Sequence, residues 1–363
     1  MSSAVDTIVL VTGASGYLGS HVVKALLARG YSVRGTVRST SNKAKIGHLQ
    51  KLIDAGEHLD LVEADLLRED SWPTAVSGCT CVCHVASPFP TGDEDGDLLV
   101  KTAVEGTRNV LKSSKADPGV KKAVLVSSIV AIIAGWEGRC RGNIEEPEKR
   151  WSNPKKCDPY SKSKTLAEKS AWDLIENSEM TGSLELAVVN PGFILGPTLS
   201  TNVGTSVDVC VQILSRAIPM TPHMCMATVD VRDVSEGIVR AMEKPEANGE
   251  RIAFTGGSIW FNVLAQSCRE VFAPLGYNPP YYNMPNFLVH SLAWFVPSMR
   301  SVSRSLGDFY ELDNSKAREV LGMDFISSKE SFVAMCHSVI EHGLVPKTPK
   351  YEAWEMQQEQ QES

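Results

Sequence analysis

The chain has 363 residues, 43% of them hydrophobic, with 36 Lys and Arg against 43 Asp and Glu, a net charge of −7. This length supports one large domain or a nucleotide domain with a smaller lobe, and interspersed charges without a basic face or tail exclude nucleic acid and membranes as expected partners. No basic, apolar leader precedes the strand-like residues that begin at Thr7, and the apolar stretch 287–296, broken by His290 and Ser291, falls short of the ~20 residues of a membrane helix; a cytoplasmic protein is expected.

Residues 7–11 form a short apolar run suited to a buried parallel strand. Leu18, Val22, Val23, Leu26 and Leu27 then recur at helical spacing until Gly30. Between them lies Thr12-Gly13-Ala14-Ser15-Gly16-Tyr17-Leu18-Gly19, a glycine turn leading into a helix N-terminus, where unpaired N–H groups and a partial positive charge favour a pyrophosphate. Its glycines are spaced three and three, so Ala14 stands where the usual dinucleotide fingerprint has its first glycine. A second strand, 31–38, ends at Arg38 with no Asp or Glu in 33–40. A guanidinium there can clamp a 2′-phosphate, which points to NADP over NAD, with Lys43 and Lys45 adding charge nearby.

Residues 59–66 and 80–86 read as third and fourth strands. Asp65 suits either the adenine amino group or a cap on the following turn. Cys79, Cys81 and Cys83 fall on one face of an extended strand beside His84, but no second cluster completes a metal site, so no metal is expected and a structural strand is the reading. The nine cysteines are expected to be reduced. Val100, Ala103, Val104, Thr107 and Leu111 mark a helix, and residues 122–126 a fifth strand ending at Ser127-Ser128. Four successive βα units predict an α/β fold: a Rossmann-type, doubly wound parallel sheet with right-handed crossovers.

Pro159 suits the first turn of a helix that carries Ala167, Ala171, Leu174 and Ile175 in period, so Tyr160 and Lys164 lie one turn apart on one face. An ammonium near the phenol favours its ionised form and makes it a usable acid near neutrality.

Taken together, the glycine turn, Asp65-Leu66, Val85-Ala86-Ser87-Pro88, Ser127-Ser128, Tyr160-Ser-Lys-Ser-Lys164 and Asn190-Pro191-Gly192 resemble the extended short-chain dehydrogenases/reductases in order and spacing. Residues 33–38, 229–234 and 313–317 narrow the resemblance to the branch of dihydroflavonol reductases, cinnamoyl-CoA reductases and related NADPH-dependent aldehyde and ketone reductases. It runs from about residue 6 to about 345. The resemblance implies Tyr160 as the acid protonating a carbonyl oxygen, Lys164 as its partner on the nicotinamide ribose, and Ser128, rather than Ser127, as the carbonyl's hydrogen-bond donor. It implies a cofactor site of Gly13, Ser15, Gly16, Tyr17, Leu18, Gly19, Arg38, Lys45, Asp65, Leu66, Val85, Ala86, Ser87, Pro191, Gly192, Phe193 and Ile194, shared with Tyr160 and Lys164.

Two departures bear on the substrate. Ile133 stands where dihydroflavonol reductases carry a polar residue, commonly Asn. Lys156-Cys-Asp-Pro-Tyr160 replaces the Asn-Trp-Tyr signature of cinnamoyl-CoA reductases. Phe89, Ile132, Ile133 and Trp136 suggest an apolar pocket for an aldehyde or ketone; these residues also suit a core. The expected domains are 6–195 with 226–256 for NADP, a smaller lobe from 196–225 and 257–347, and a disordered tail over 348–363. Tyr281, Tyr282 and the 287–296 helix suit either the substrate cleft or lobe packing. The expected function is NADPH-dependent carbonyl reduction by a monomer or homodimer. The alternatives are a nucleotide-sugar epimerase or dehydratase, which shares Ser, Tyr and Lys, and a non-catalytic dinucleotide sensor.

Overall fold

The computed structural model describes residues 7–88, 95–136, 140–177, 183–202, 204–296 and 298–362. The first half alternates strand and helix: β1 (Ile8–Thr12), α1 (Tyr17–Ala28), β2 (Ser32–Val37), α2 (Lys43–Asp54), β3 (Leu59–Glu63), α3 (Trp72–Val76), β4 (Cys81–His84), α4 (Gly96–Ala116), β5 (Lys122–Val126), α5 (Val130–Ile133), β6 (Gly142–Ile144), α6 (Pro159–Asn177) and β7 (Glu185–Pro191). The rest runs β8 (Phe193–Leu195), α7 (Thr205–Leu214), β9 (Cys225–Asp230), α8 (Val231–Glu243), β10 (Arg251–Phe254), β11 (Gly257–Trp260), α9 (Phe261–Phe272), α10 (Asn286–Phe295), α11 (Ser298–Arg304), β12 (Tyr310–Leu312), α12 (Ser315–Leu321), α13 (Ser328–Glu341) and α14 (Pro349–Glu362).

Seven strands form one sheet in the order β10-β7-β5-β4-β1-β2-β3, with every pairing parallel. Successive side chains of a strand face opposite ways, so Val9 and Val11 pack under α1 and α8 with Val22, Val23 and Ile238, while Leu10 meets Trp72, Leu111 and Leu174 on the other face. The expected doubly wound fold is therefore present. Its switch point lies between β1 and β4, where consecutive crossovers leave in opposite directions and a crevice opens beyond the strand ends.

A three-stranded sheet, β11-β9-β8, starts the second lobe, whose core gathers Leu195, Val207, Phe261, Phe272, Phe332 and Tyr351. Residues 226–256 do not return to the main sheet as a block. β9 pairs with β8 and β11, and only β10 joins the main sheet, beside β7. The tail differs more. Where composition predicts disorder, α14 runs to Glu362, because Thr348 caps its first turn by accepting from Tyr351 N at 3.1 Å and two aromatics anchor it. Tyr351 is 1% exposed and hydrogen-bonds His337, on which Trp354 stacks.

Candidate active site

At the end of β1 the chain turns through Gly13, whose φ of +68° places it in the left-handed region and whose missing Cβ would lie 3.1 Å from Ala86. Gly19 is required by close approach, since a Cβ there would come within 2.2 Å of the Gly13 carbonyl oxygen. The turn is tied to β2, with Gly13 N donating to Thr36 Oγ1 and Ala14 N to the Thr36 carbonyl, both at 3.1 Å.

The end of β1 is also clasped to β4. Thr12 Oγ1 accepts from Val85 N at 3.0 Å and Ala86 N at 2.9 Å, and lies 2.8 Å from His84 Nδ1. With two N–H groups already donated to it, the hydroxyl gives its own proton to Nδ1, which fixes His84 as the neutral tautomer protonated on Nε2. Burial agrees, pushing the imidazole down to about 3. His84 is thus a packed, bonded side chain. Cys83 and Cys81 pack on the α1 side of the sheet, whereas Cys79, which precedes β4, packs on the opposite side beside Trp72, so the three sulfurs do not share one face.

The N-terminus of α1 carries no side-chain cap and no carboxylate in its first turn. Tyr17 spends its phenol on the Gly196 carbonyl at 2.7 Å, leaving its contribution to the crevice to the backbone, as for Leu18 at the same helix end. Asn202, which sequence reasoning missed, donates Nδ2 to the carbonyls of Ser15 at 3.0 Å and Lys45 at 2.9 Å, strapping a lobe segment to the glycine turn. Nothing local announces it: its partners are 187 and 157 residues away.

The expected catalytic residues converge at the ends of β5 and α6. Asp158 accepts from Tyr160 N and Ser161 N, both at 3.0 Å, capping α6 and holding Tyr160 in its first turn. Tyr160 and Ser128 share one wall of the crevice, close enough for the hydroxyl to act on the phenol. Burial pushes the phenol up to about 12, with Ser128 opposing and Asp158 adding to the rise. The expected lowering of this phenol by Lys164 does not figure among its shifts: burial dominates, and the group that lowers it is Ser128. Burial also brings Lys164 down to about 8, with Glu168 pulling the other way.

Glu168 is the second residue missed. One turn beyond Lys164 and 1% exposed, it accepts from Ser127 Oγ at 2.5 Å, Asn190 Nδ2 at 2.8 Å and Arg251 Nε at 2.5 Å. Asn190 Nδ2 also reaches the Ser128 carbonyl at 3.2 Å, so one carboxylate ties the serine pair, β7 and β10 to the helix of Tyr160 and Lys164. A Tyr-x-x-x-Lys-x-x-x-Glu spacing on one helix face was the available signal.

One cavity of about 1660 Å³ runs from the glycine turn past Ser128, Tyr160 and Lys164 to the second lobe. Every residue of the expected cofactor site lines it, from Gly13 and Arg38 through Asp65 and Ser87 to Ile194. Asp65 does cap, its Oδ1 accepting from Leu67 N at 2.9 Å. Arg38 is exposed at the rim, with no ion pair among the described residues. Of the expected substrate residues, Ile133 and Trp136 line the cavity. Ile132 does not: fully buried, it packs with Ile129, Ile144 and Leu312. Phe89 lies outside the described residues. Tyr281 and Tyr282 stand in solvent rather than in the cleft, each 69% exposed. Cys140, Met224, Met226 and Tyr310, none of them anticipated, complete the far wall.

Residues 9–255 match the model of the NAD dependent epimerase/dehydratase family. The chain belongs to this family, the extended short-chain dehydrogenases/reductases. It is 34% identical over 348 residues to tetraketide alpha-pyrone reductase 1 of Arabidopsis thaliana, covering 93% of this chain and 96% of that protein. It is 39% identical over 269 residues to cinnamoyl-CoA reductase 1 of Oryza sativa subsp. japonica, covering 73% and 76%. Among solved structures, the yeast methylglyoxal/isovaleraldehyde reductase Gre2 complexed with NADPH superposes with a TM-score of 0.77 at 26% identity, covering 93% of this chain and 99% of that one. Among the described residues, no helix is long and apolar enough to cross a membrane.

Proposed function

We propose that the chain reduces an aldehyde or ketone with an apolar body to the alcohol, using NADPH. It is an NADP-dependent oxidoreductase of the extended family, similar to reductases on both sequence and structure. The observation that carries the finer reading is the presence of Ser128, Tyr160 and Lys164 together on the wall of the cavity that begins at the glycine turn.

The residues present fit the cofactor. A Cβ at Gly13 or Gly19 would run into Ala86 or the Gly13 carbonyl and force the tight turn apart, and the first turn of α1 offers backbone N–H groups without a competing carboxylate. Gly13, Gly16, Tyr17 and Leu18 would hold the pyrophosphate, Arg38 with Lys45 the 2′-phosphate, and residues 191–194 the carboxamide. Bound NADPH supplies a hydride to the carbonyl carbon. The chain's own residues manage the oxygen. Ser128 and Tyr160 present two hydroxyls to it, and the phenol, held protonated at neutral pH by burial, gives up its proton as negative charge develops. Lys164, still mostly ammonium at pH 7, offsets the charge left on the phenolate. Glu168 does not reach the reacting atoms; it positions the serine turn and supports the ammonium. Ile133, Trp136, Phe193, Met224 and Met226 give the apolar wall that receives the substrate body.

The test is NADPH oxidation by purified protein across aliphatic and aromatic aldehydes, ketones and dihydroflavonols. Turnover of apolar carbonyls is expected. Cofactor binding with no turnover across the panel would refute the reading.

A further inference from the structure

The second lobe carries an apolar face that none of the other described residues covers. On α10, Phe287, Trp294 and Phe295 are 68%, 82% and 84% exposed, and their spacing of seven and eight residues puts them on one face of the helix. Leu292 and Val296 are also exposed, and of the ten residues of α10 only Val289 is buried. A stable water-facing helix reads the other way round, with a polar exposed face.

Charge singles out the same region. From Val271 to Gly307 the sequence contains no Asp or Glu, although the whole chain has 43 of them and a net charge of −7. Its charged groups are Arg300 and Arg304, both exposed, on α11, the helix packed against α10, with His290 exposed on α10 itself. Arg300 Nε donates to the Ala293 carbonyl at 3.2 Å, which holds its guanidinium at the end of α10 next to Trp294 and Phe295. Arg304 and Ser305, at the end of α11, line the active-site cavity.

We propose that the α10–α11 hairpin docks this chain on an anionic lipid surface, lying in the interface rather than crossing it. A ten-residue helix is about 15 Å long, half the thickness of a bilayer core, so spanning is excluded by length. Lying flat, Phe287, Trp294 and Phe295 enter the headgroup and acyl boundary while Arg300 and Arg304 meet lipid phosphates, the arrangement of an interfacial basic helix. A second copy of the chain fits less well: an isologous contact through this face would bring the arginines of both copies together with no carboxylate from 271–307 to pair them. The local charge also answers the general one. A −7 chain is repelled by an anionic surface except through a region free of carboxylates. Docking here turns the rim at Arg304 toward lipid, which suits an apolar carbonyl drawn from the same surface.

The experiment is co-sedimentation of the full chain with vesicles of phosphatidylcholine alone and with about 30% phosphatidylserine, at low and high salt. Binding to the serine-containing vesicles, released by salt, is expected. Trp294→Ser with Phe295→Ser should weaken it at least tenfold and Arg300→Glu several-fold, with thermal unfolding unchanged to show that the lobe is intact. No binding by the unaltered chain, or equal binding by the double variant, would overturn the proposal. So would analytical ultracentrifugation showing that the double variant turns a dimer into a monomer, which would assign the face to a second copy. Vesicle binding is read without substrate or cofactor, so its failure is separable from that of the reductase reading.

Discussion

Around the glycine turn the cleft is built from backbone groups and small side chains at the ends of buried strands, whereas its far half is built from large side chains gathered from loops and the second lobe. The near half, Gly13, Ala86, Ser128 and Pro191, is held by hydrogen bonds between neighbouring strands. The far half brings Trp136, Cys140, Met224 and Tyr310 together from positions up to 174 residues apart, with single long side-chain hydrogen bonds, Trp136 Nε1 donating to the Trp151 carbonyl at 3.3 Å and the Tyr310 hydroxyl accepting from Ala227 N at 3.4 Å. The first arrangement fixes geometry to fractions of an ångström and suits one cofactor; the second tolerates repacking and suits variation in what is reduced.

Changes at the junction of the halves should have the largest effect. Tyr160→Phe removes the proton donor and should lower kcat about 10²–10⁴-fold while leaving NADPH affinity, read by nucleotide fluorescence, nearly unchanged; wild-type-like rates would refute the assignment. Glu168→Gln leaves Arg251 buried without its charge partner and should lower unfolding free energy by about 3 kcal/mol in a denaturant titration. The same variant tests the role of Glu168 toward Lys164. Turnover should fall as pH rises through about 8, where the ammonium is lost, and removing the Glu168 charge should move that fall to lower pH, because Glu168 raises the Lys164 pKa. A merely structural glutamate would leave the limb in place.

Effects confined to one half should be smaller. On the cofactor side, Arg38→Ala should weaken NADPH about tenfold and NADH little, as competition binding would show; equal losses would remove it as the phosphate clamp. On the substrate side, Ile133→Asn should alter the preference between apolar and hydroxylated aromatic ketones by about tenfold or less, with NADPH binding intact. A loss of NADPH affinity equal to the change in preference would mean that the halves are not separable.

The same contrast explains what the sequence disclosed. Glycine spacing, Arg38, the serine pair and the Tyr-Lys helix are local patterns, each set by one turn or one helix face, and all of those residues line one cavity. Ile132 and Ile133 show the limit: adjacent and equally apolar, one is core and the other wall, because a single step around the short helix α5 exchanges the faces. Asn202 acts through partners far away in sequence, so composition and period say little about it, whereas Glu168 shows in the sequence only as the third member of the 160/164/168 spacing, with no hint of Arg251, 83 residues on. The tail failed for a different reason, since two aromatics and a Thr-Pro cap outweigh a Gln- and Glu-rich average.

The clasp of Thr12 and His84 sets an acid limit on the fold. The unfolded imidazole takes up a proton near pH 6.5, while the folded one, neutral and buried, resists until about 3, so the unfolded chain binds more protons throughout that interval. Stability contributed by this site is complete above pH 6.5 and is lost as pH falls toward 3. Protonating His84 also takes away the acceptor that orients the Thr12 hydroxyl, the atom that holds Val85 and Ala86 against the glycine turn. Acid should therefore loosen the Val85–Ala86 turn from the end of β1, at the switch point where the cofactor cradle begins, while the backbone ladder between β1 and β4 carries no titrating group.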